Sequence, residues 1–415
     1  MKRQPVQREF TLDHALVSAN DCLLNLNMNM HFQIVGSAGK LYTYLCLINN
    51  HNIQLTFRGA GSGLSQEAKV KAVYEAMEDS LVYQTLGQIN NQHIKMFSTL
   101  TSPSTDFLDQ NELLPEILKS SDFLLNSYPW LKLQNLNAIN DSIYYPLGLL
   151  FPHASHFEYY NKYINQAAIS HIANSTGIAM GASEVEALIH GINDWIERDA
   201  YGLFLLNTII KKVKPARRVV KNTLPDNLQK HIQFIENINN DELVIIDMTS
   251  DLDIPSFLVS FTKQPVPVQP SGLGASLCKI DALQQALFEA LQSRDRYNDN
   301  TIISRHKTIQ HYQTYPILLQ AFKLDLLQLI NEGCFIDIHW HESVTQKTDP
   351  DLANQLKLII KMITARRMNI FYNVLFKDVN GVALVYVLLA GAETFGMMRE
   401  GLFIPIKKRG LEQLT

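Results

Sequence analysis

Four cysteines in 415 residues, Cys22, Cys46, Cys278 and Cys334, stand far apart with no Cys-x-x-Cys among them. That excludes a zinc ribbon or a disulfide framework and leaves reduced, buried thiols, as in a cytoplasmic protein. Basic charge is also short: Lys and Arg number 36 against 40 Asp and Glu, for a net charge of −4. A broad, sequence-independent nucleic-acid face needs a basic excess that this chain lacks. Long apolar runs are missing too. The longest, Val382 to Ala392, is too short to span a bilayer and carries strand-favouring Val and Tyr. The first ten residues, MKRQPVQREF, have no apolar run behind them, so no signal peptide is expected. No Gly-x-Ser-x-Gly elbow occurs, and Gly59 to Gly63 lacks the Gly-Lys-Ser/Thr ending of a phosphate-binding loop.

With 46% apolar and 18% charged residues, the chain has what a large globular core requires. Three stretches read as strand–turn–strand: Leu41–Ile48 with Gln54–Phe57, Leu243–Met248 with Phe257–Phe261, and Ile370–Phe376 with Val382–Leu389. Periodicity of three and four predicts helices over Ser65–Gln84, Ser183–Leu206, Asp281–Tyr297, Leu318–Asn331 and Asp351–Arg367, and a partly helical Asn222–Asn240. Ser183 followed by Glu186 is a capping-box signature. The proline-rich QPVPVQP, residues 264 to 270, reads as an extended connection.

The most informative feature recurs three times. A glycine-containing stretch, read as a loop, precedes a helix with a polar pair three residues apart. Gly59–Gly63 leads to Glu75 and Glu78, Gly177–Gly181 to Asp194 and Glu197, and Gly272–Ala275 to Glu289 and Gln292. From the last loop glycine to the first pair member the separations are 12, 13 and 15 residues. Residues three apart share a helix face. Each pair sits among apolar neighbours, where like charges are costly unless a cation shares the site. Five carboxylates brought together would need about two or three divalent cations, and Mg²⁺ favours carboxylates with phosphate oxygens and water. Glycine loops ahead of helices let backbone N–H groups approach phosphates. Taken singly, each pair is equally an ordinary solvated face, with Glu75 beside Lys71 and Asp194 beside Arg198 as surface ion pairs. His339 and His341, two apart in an expected strand, are a weaker metal candidate, and Tyr144, Tyr145 and Phe151 are expected in the core.

At these same residues the chain resembles the YcaO family. GAGSGLSQEAKVKAVYEAMED is similar to its first motif, NSTGIAMGASEVEALIHGINDWIERDA to its second and GLGASLCKIDALQQALFEALQSRD to its third; VIIDMTSDLDIPSFLVSF and LAGAETF, with Glu393, resemble two further segments. The likeness runs from about residue 40 to about residue 400. It implies an α+β fold of internally repeated β-hairpin and helix units around a central ATP and Mg²⁺ site. The catalytic domain would be 41–415, after an N-terminal extension over 1–40. Carried over by motif position, Glu75, Glu78, Asp194, Glu197 and Glu289 would face Mg²⁺. Lys71, Ser175, Thr176, Arg198, Gln292 and Arg294 would line the nucleotide. Lys71, Asp79, Ala60, Thr176 and Gln285 depart from the family's Ser, Arg, Lys, Asn and Arg.

The family's reaction is ATP-dependent activation of a backbone amide in a ribosomally made precursor peptide. A nucleophile adds to the carbonyl, the oxyanion takes the γ-phosphoryl group, and phosphate leaves with the amide oxygen. A neighbouring Cys, Ser or Thr would give an azoline and external sulfide a thioamide. A non-catalytic scaffold subunit is the third alternative, and a generic Mg²⁺-dependent ATPase or ligase is the reading that ignores the family. The ending KKRGLEQLT lacks the proline-rich tail common among azoline-forming members. With no leader-binding module evident, a partner protein similar to a ubiquitin-activating enzyme or to TfuA is expected, and a homodimer is left open.

Overall fold

Alternating strand-formers fold back on themselves through the whole chain, and pairing of these hairpins sets the architecture. The structure is a computed structural model describing residues 7–86, 93–138, 140–151, 169, 171–263, 266–346, 349–402 and 404–412. Its strands are β1 (Met28–Ala38), β2 (Leu41–Asn50), β3 (Leu55–Leu64), β4 (Ile94–Phe97), β5 (Tyr128–Asn135), β6 (Ser142–Pro146), β7 (Ile178–Gly181), β8 (Ala216–Val219), β9 (Leu243–Asp247), β10 (Ser256–Phe261), β11 (Ser271–Ala275), β12 (Phe335–Ile338), β13 (Asn369–Lys377) and β14 (Ala383–Ala390). They form three sheets, β1-β2-β3, β4-β5-β13-β14-β7 with β6 on β5, and β11-β10-β9-β8-β12. Only β8 and β12 pair parallel among the described strands. The three expected hairpins are β2–β3, β9–β10 and β13–β14. β14 is buried along its whole length, which is why it reads as a continuous apolar run.

Each sheet carries one long helix directly after a strand. Ser65–Leu86 follows β3, Glu184–Phe204 follows β7, and Lys279–Asp295 follows β11. We call these the first, second and third site helices. The second starts as its capping signature predicts, with the Ser183 hydroxyl accepting from the Glu186 N–H at 3.2 Å.

The glycine stretches are not loops. They are the strands β3, β7 and β11, and their glycines let a helix lie against the sheet. A Cβ on Gly59 would fall 2.2 Å from the Ala76 nitrogen and 2.4 Å from the Ala72 oxygen. A Cβ on Gly272 would fall 2.2 Å from the Ala290 nitrogen and 2.3 Å from the Ala286 oxygen. Gly61 and Gly274 meet the preceding turns, at Ala68–Ala72 and Ala282–Ala286. Glycines two apart occupy one face of the strand, and alanines four apart one face of the helix. Together they bring the two backbones into contact that any side chain would block.

The helix expected over Leu318–Asn331 is two helices, Pro316–Lys323 and Leu326–Asn331. Leu324 takes a left-handed φ of 46°, and Asp325 recaps the chain by accepting from the Gln328 N–H. The turn between β1 and β2 falls at Gly39–Lys40, so residues 28–38 form one arm of a hairpin. Tyr145 and Phe151 are buried, and Tyr144 packs against the same core. No described helix is long and apolar enough to cross a membrane.

Candidate functional site

The short strand-to-helix connections bring the acidic members of the pairs on the three site helices within electrostatic reach of one another. In each unit the strand ahead of the helix, or the turn leading into that strand, supplies a backbone N–H to a carboxylate. Ala60 donates to Glu75. Gly177, whose φ of +85° admits only glycine readily, donates to Asp194 at 2.8 Å. Leu273 donates to Glu289 at 2.9 Å. Glu78 reaches across to the second unit and takes the Met180 N–H. The strand amides therefore hold carboxylates in position, where the loop reading had them facing phosphate.

The charges act on one another across helices. Desolvation raises the Glu78 carboxyl well above the usual range, and Asp79, Glu75 and Asp194 push it further. Desolvation likewise raises Glu197, which is 5% exposed, with Glu289 of the third helix as the largest charge effect. Glu75 is raised by desolvation against the pull of Lys71 and Arg296. Its side chain keeps 38% of its surface and lies 3.8 Å from the Arg296 guanidinium. Among the described residues no three His, Cys, Asp or Glu side chains close on one point as a preformed metal cage. The acidic residues form instead a chain of facing groups, Glu75–Glu78–Asp194 and Glu197–Glu289. That suits Mg²⁺, which takes one or two carboxylates and fills its shell with phosphate oxygens and water.

An open cleft of ≈ 190 Å³ lies at the start of the second unit. Ser175, Thr176, Asp194 and Arg198, all expected from the sequence, line it, as do Asn174, Met397 and Glu400, which sequence reasoning missed. Burial would lower the Arg198 pKa, but Glu400, Asp194, Glu197 and Glu289 outweigh it and hold the guanidinium firmly charged. Arg198 is ion-paired with Glu400 and lies 3.6 Å from Asp194. Its Nε still has no hydrogen bond, and neither do the buried Arg294 Nε or Gln292 Oε1 among the described residues. Buried donors and acceptors left unmatched are costly unless a ligand completes them. Lys71 lies close enough to Glu75 and Glu197 to offset part of their charge. Gln292 and Arg294 are not among the residues lining the cleft. The donor set thus fits a magnesium–polyphosphate group in its excess of carboxylates and in the unmatched cationic N–H of Arg198 beside Asp194.

Beneath the site the second helix is locked by groups outside the expected set. Asp199 is fully buried and receives Arg409 through two bonds, 2.6 and 2.8 Å. It also accepts from the Glu393 N–H at 2.8 Å. Glu393, expected from its motif, is buried and accepts from the backbone N–H groups of Thr394, Phe395 and Lys407. It therefore anchors the turn that carries Glu400. His339 and His341 lie apart from the cleft residues in sequence, and their rings sit 5.7 Å apart, tilted by 37°, at a 3₁₀ turn that His339 caps, not in a strand.

The model of the family described as YcaO cyclodehydratase, ATP- and Mg²⁺-binding, matches residues 58–393. An uncharacterized protein of Methanothermobacter thermautotrophicus is 24% identical over 303 residues, 70% of this chain and 72% of its own. The YcaO structure from Methanopyrus kandleri bound with AMPPCP and Mg²⁺ superposes with a TM-score of 0.65 at 14% identity, covering 97% of this chain and 96% of that one. A heterocyclase in complex with substrate and cofactor gives 0.64 at 16%, covering 94% of this chain and 53% of that one. This chain thus spans about half the length of that heterocyclase. At these identities the likeness to solved structures is one of fold.

Proposed function

Since the chain belongs to the YcaO family and takes ATP and Mg²⁺ as cofactors, we propose that it activates backbone amides of a ribosomally made precursor peptide, turning Cys, Ser or Thr residues into azolines. The observation that carries this reading is the mutual approach of Glu75, Glu78, Asp194, Glu197 and Glu289 from three helices, with the unmatched Nε of Arg198 beside Asp194. Bound ATP supplies the phosphoryl group that makes the amide oxygen a leaving group, and Mg²⁺ the positive charge that the polyphosphate requires.

The chain's own task is positioning. The five carboxylates would hold the metal, each of Glu75, Asp194 and Glu289 fixed by a backbone amide. Lys71, Arg198 and Arg294 would neutralise phosphate charge, and Ser175, Thr176 and Gln292 would contribute neutral hydrogen bonds. Preorganised groups of this kind need no rearrangement when charge develops, which is where most of the rate gain in such transfers arises. Support for a partner protein that presents the peptide comes from the similarly folded E. coli McbBCD microcin synthetase complex, which has been seen with its pro-peptide bound.

Titration of AMPPCP with Mg²⁺ tests the site. Glu75→Ala, Glu197→Ala and Glu289→Ala should each weaken binding by about tenfold to a hundredfold. Unchanged affinity in all three refutes the assignment. Mass spectrometry of a peptide encoded beside the gene and co-expressed with this chain tests the reaction. Loss of one water per site marks azoline formation. Exchange of oxygen for sulfur marks thioamidation. Nucleotide binding with no peptide change marks a scaffold subunit, for which Ala60, buried where the family carries lysine, is the supporting observation.

A further inference from the structure

Each site helix is buried around its circumference except along one line. In the first, from Val70 to Glu78, only Lys71, Glu75 and Glu78 meet solvent. In the second, from Glu186 to Ala200, only His190, Asp194 and Arg198 do. In the third, from Ala282 to Leu291, the open positions are Gln284, Gln285 and Glu289. Residues four apart lie on one helix face, so each line is a continuous strip that carries the acidic residues. Four positions before Glu75, Asp194 and Glu289 stand Lys71, His190 and Gln285. The three units thus repeat one more layer than the carboxylate pairs reveal, and His190 is the member of that layer outside the expected site residues.

His190 is the most open position on its stretch of the second helix. Desolvation nevertheless lowers its pKa; Asp194 and the Met180 carbonyl oppose that, and Arg8 and Lys71 add to it. A ring that meets water and is still desolvated sits in a recess, not on the outer surface. Lys71 comes from the first site helix and Arg8 from the N-terminal segment, where it is ion-paired with Glu186 at 2.8 Å. Met180 belongs to β7, the edge strand of its sheet. Its N–H serves Glu78, and its carbonyl accepts from the His190 ring. Two cations and an imidazole therefore gather one helical turn from Asp194, on a face that is otherwise acidic.

We propose that His190 is a further phosphate-contacting residue of the nucleotide site, the second helix's counterpart of Lys71, with one ring nitrogen on Met180 and the other donating to a polyphosphate oxygen. This rests on the magnesium–nucleotide reading of the site. A polyphosphate held by magnesium on the carboxylate side needs donors on its other side, and this layer supplies them. The phosphate's negative charge favours the imidazolium, which has an N–H on both sides of the ring, against the opposing pull of Lys71 and Arg8.

Calorimetric titration of the full chain with AMPPCP and Mg²⁺, and separately with tripolyphosphate and Mg²⁺, tests this. His190→Ala should weaken both ligands by about tenfold. His190→Gln can still donate to Met180 but reaches no second partner, and should be weakened nearly as much. Full recovery by the glutamine overturns the proposal, because the residue then acts only through the strand. A loss seen with AMPPCP and not with tripolyphosphate also overturns it, by placing the contact on the nucleoside. Unchanged affinity in His190→Ala, with binding lost in Glu197→Ala, overturns this inference and leaves the magnesium–nucleotide site standing. No binding of either ligand by the wild type removes both. Should the variants misfold, the wild type decides. Diethyl pyrocarbonate acylates exposed neutral imidazoles, and mass spectrometry locates the label. Tripolyphosphate with Mg²⁺ must slow labelling of His190 while exposed His306 labels as before. Equal labelling of His190 with and without the ligand overturns the proposal.

Discussion

Arg409 forks onto Asp199 with Nε–Oδ1 at 2.6 Å and Nη2–Oδ2 at 2.8 Å, directly beneath the site residues Glu197 and Arg198. The same guanidinium also reaches Asp251, so one cation joins the second site helix to the turn after β9. Asp199 has no solvent to fall back on. Arg409→Ala strands that carboxylate and should cost about 3–5 kcal/mol, read as a lowered urea midpoint. Arg409→Lys keeps the charge but loses the fork, and should recover only part of the loss.

Adding a methyl group to the strand glycines tests the backbone contact. Gly59→Ala or Gly272→Ala must drive a helix away from its sheet, because what the new carbon meets is backbone. The expected cost is about 1–3 kcal/mol in thermal unfolding, with weaker nucleotide binding because Glu75 or Glu289 moves with the helix. Gly333→Ala is the control. Its Cβ would meet nothing within 4 Å, although its φ of +69° carries a small strain of its own.

The raised carboxyls give the unliganded chain a signed dependence on pH. Glu78 and Glu197 hold protons in the folded state above the pH at which they lose them unfolded. Over that window the native state binds more protons, so stability falls as pH rises from the ordinary carboxylate range through the raised folded values. His190, lowered chiefly by desolvation, acts oppositely as pH falls below the usual histidine range. A difference measurement separates them. The stability of Glu78→Gln minus that of wild type should increase with pH across the window. Binding of Mg²⁺ with AMPPCP should release protons, seen as a buffer-dependent heat in calorimetry.

On the proposed function, Glu400, ion-paired with Arg198, would compete with phosphate for that guanidinium. Both side chains retain some solvent contact, 46% and 21% exposed, so the ion pair itself is weak. Glu400→Gln frees the guanidinium and removes a negative charge from the cleft. Nucleotide affinity should rise by up to about fivefold, or about 1 kcal/mol. A drop in affinity would show that Glu400 positions Arg198 for the ligand.

Much of this arrangement is legible in the sequence, because its signals are local. Strand pairs announce themselves by apolar runs around short polar turns. The carboxylate pairs show as residues three apart after a glycine stretch. What misleads is the glycine itself. Gly59 and Gly61 have turn composition, but their role appears only beside Ala68, Ala72 and Ala76 at four-residue spacing. Glu400 and Arg409 carry no local signal. Chain closure brings them to the second site helix from about 200 residues away. The break at Leu324 is hidden for a related reason, since the left-handed turn is imposed on an ordinary leucine.

The three site helices rest on different packing clusters. The first lies in one with β2, the third in another with β9 and β10, and the second runs from the former into a third cluster around Phe204 and Phe322. Their acidic faces meet at the seam between these bodies. Once Glu78 and Glu197 lose their protons, that seam becomes a wedge, like charges pressing neighbouring helices apart. On the proposed function a magnesium polyphosphate seated there would be a keystone, and the molecule's rigidity would be partly on loan from its own ligand.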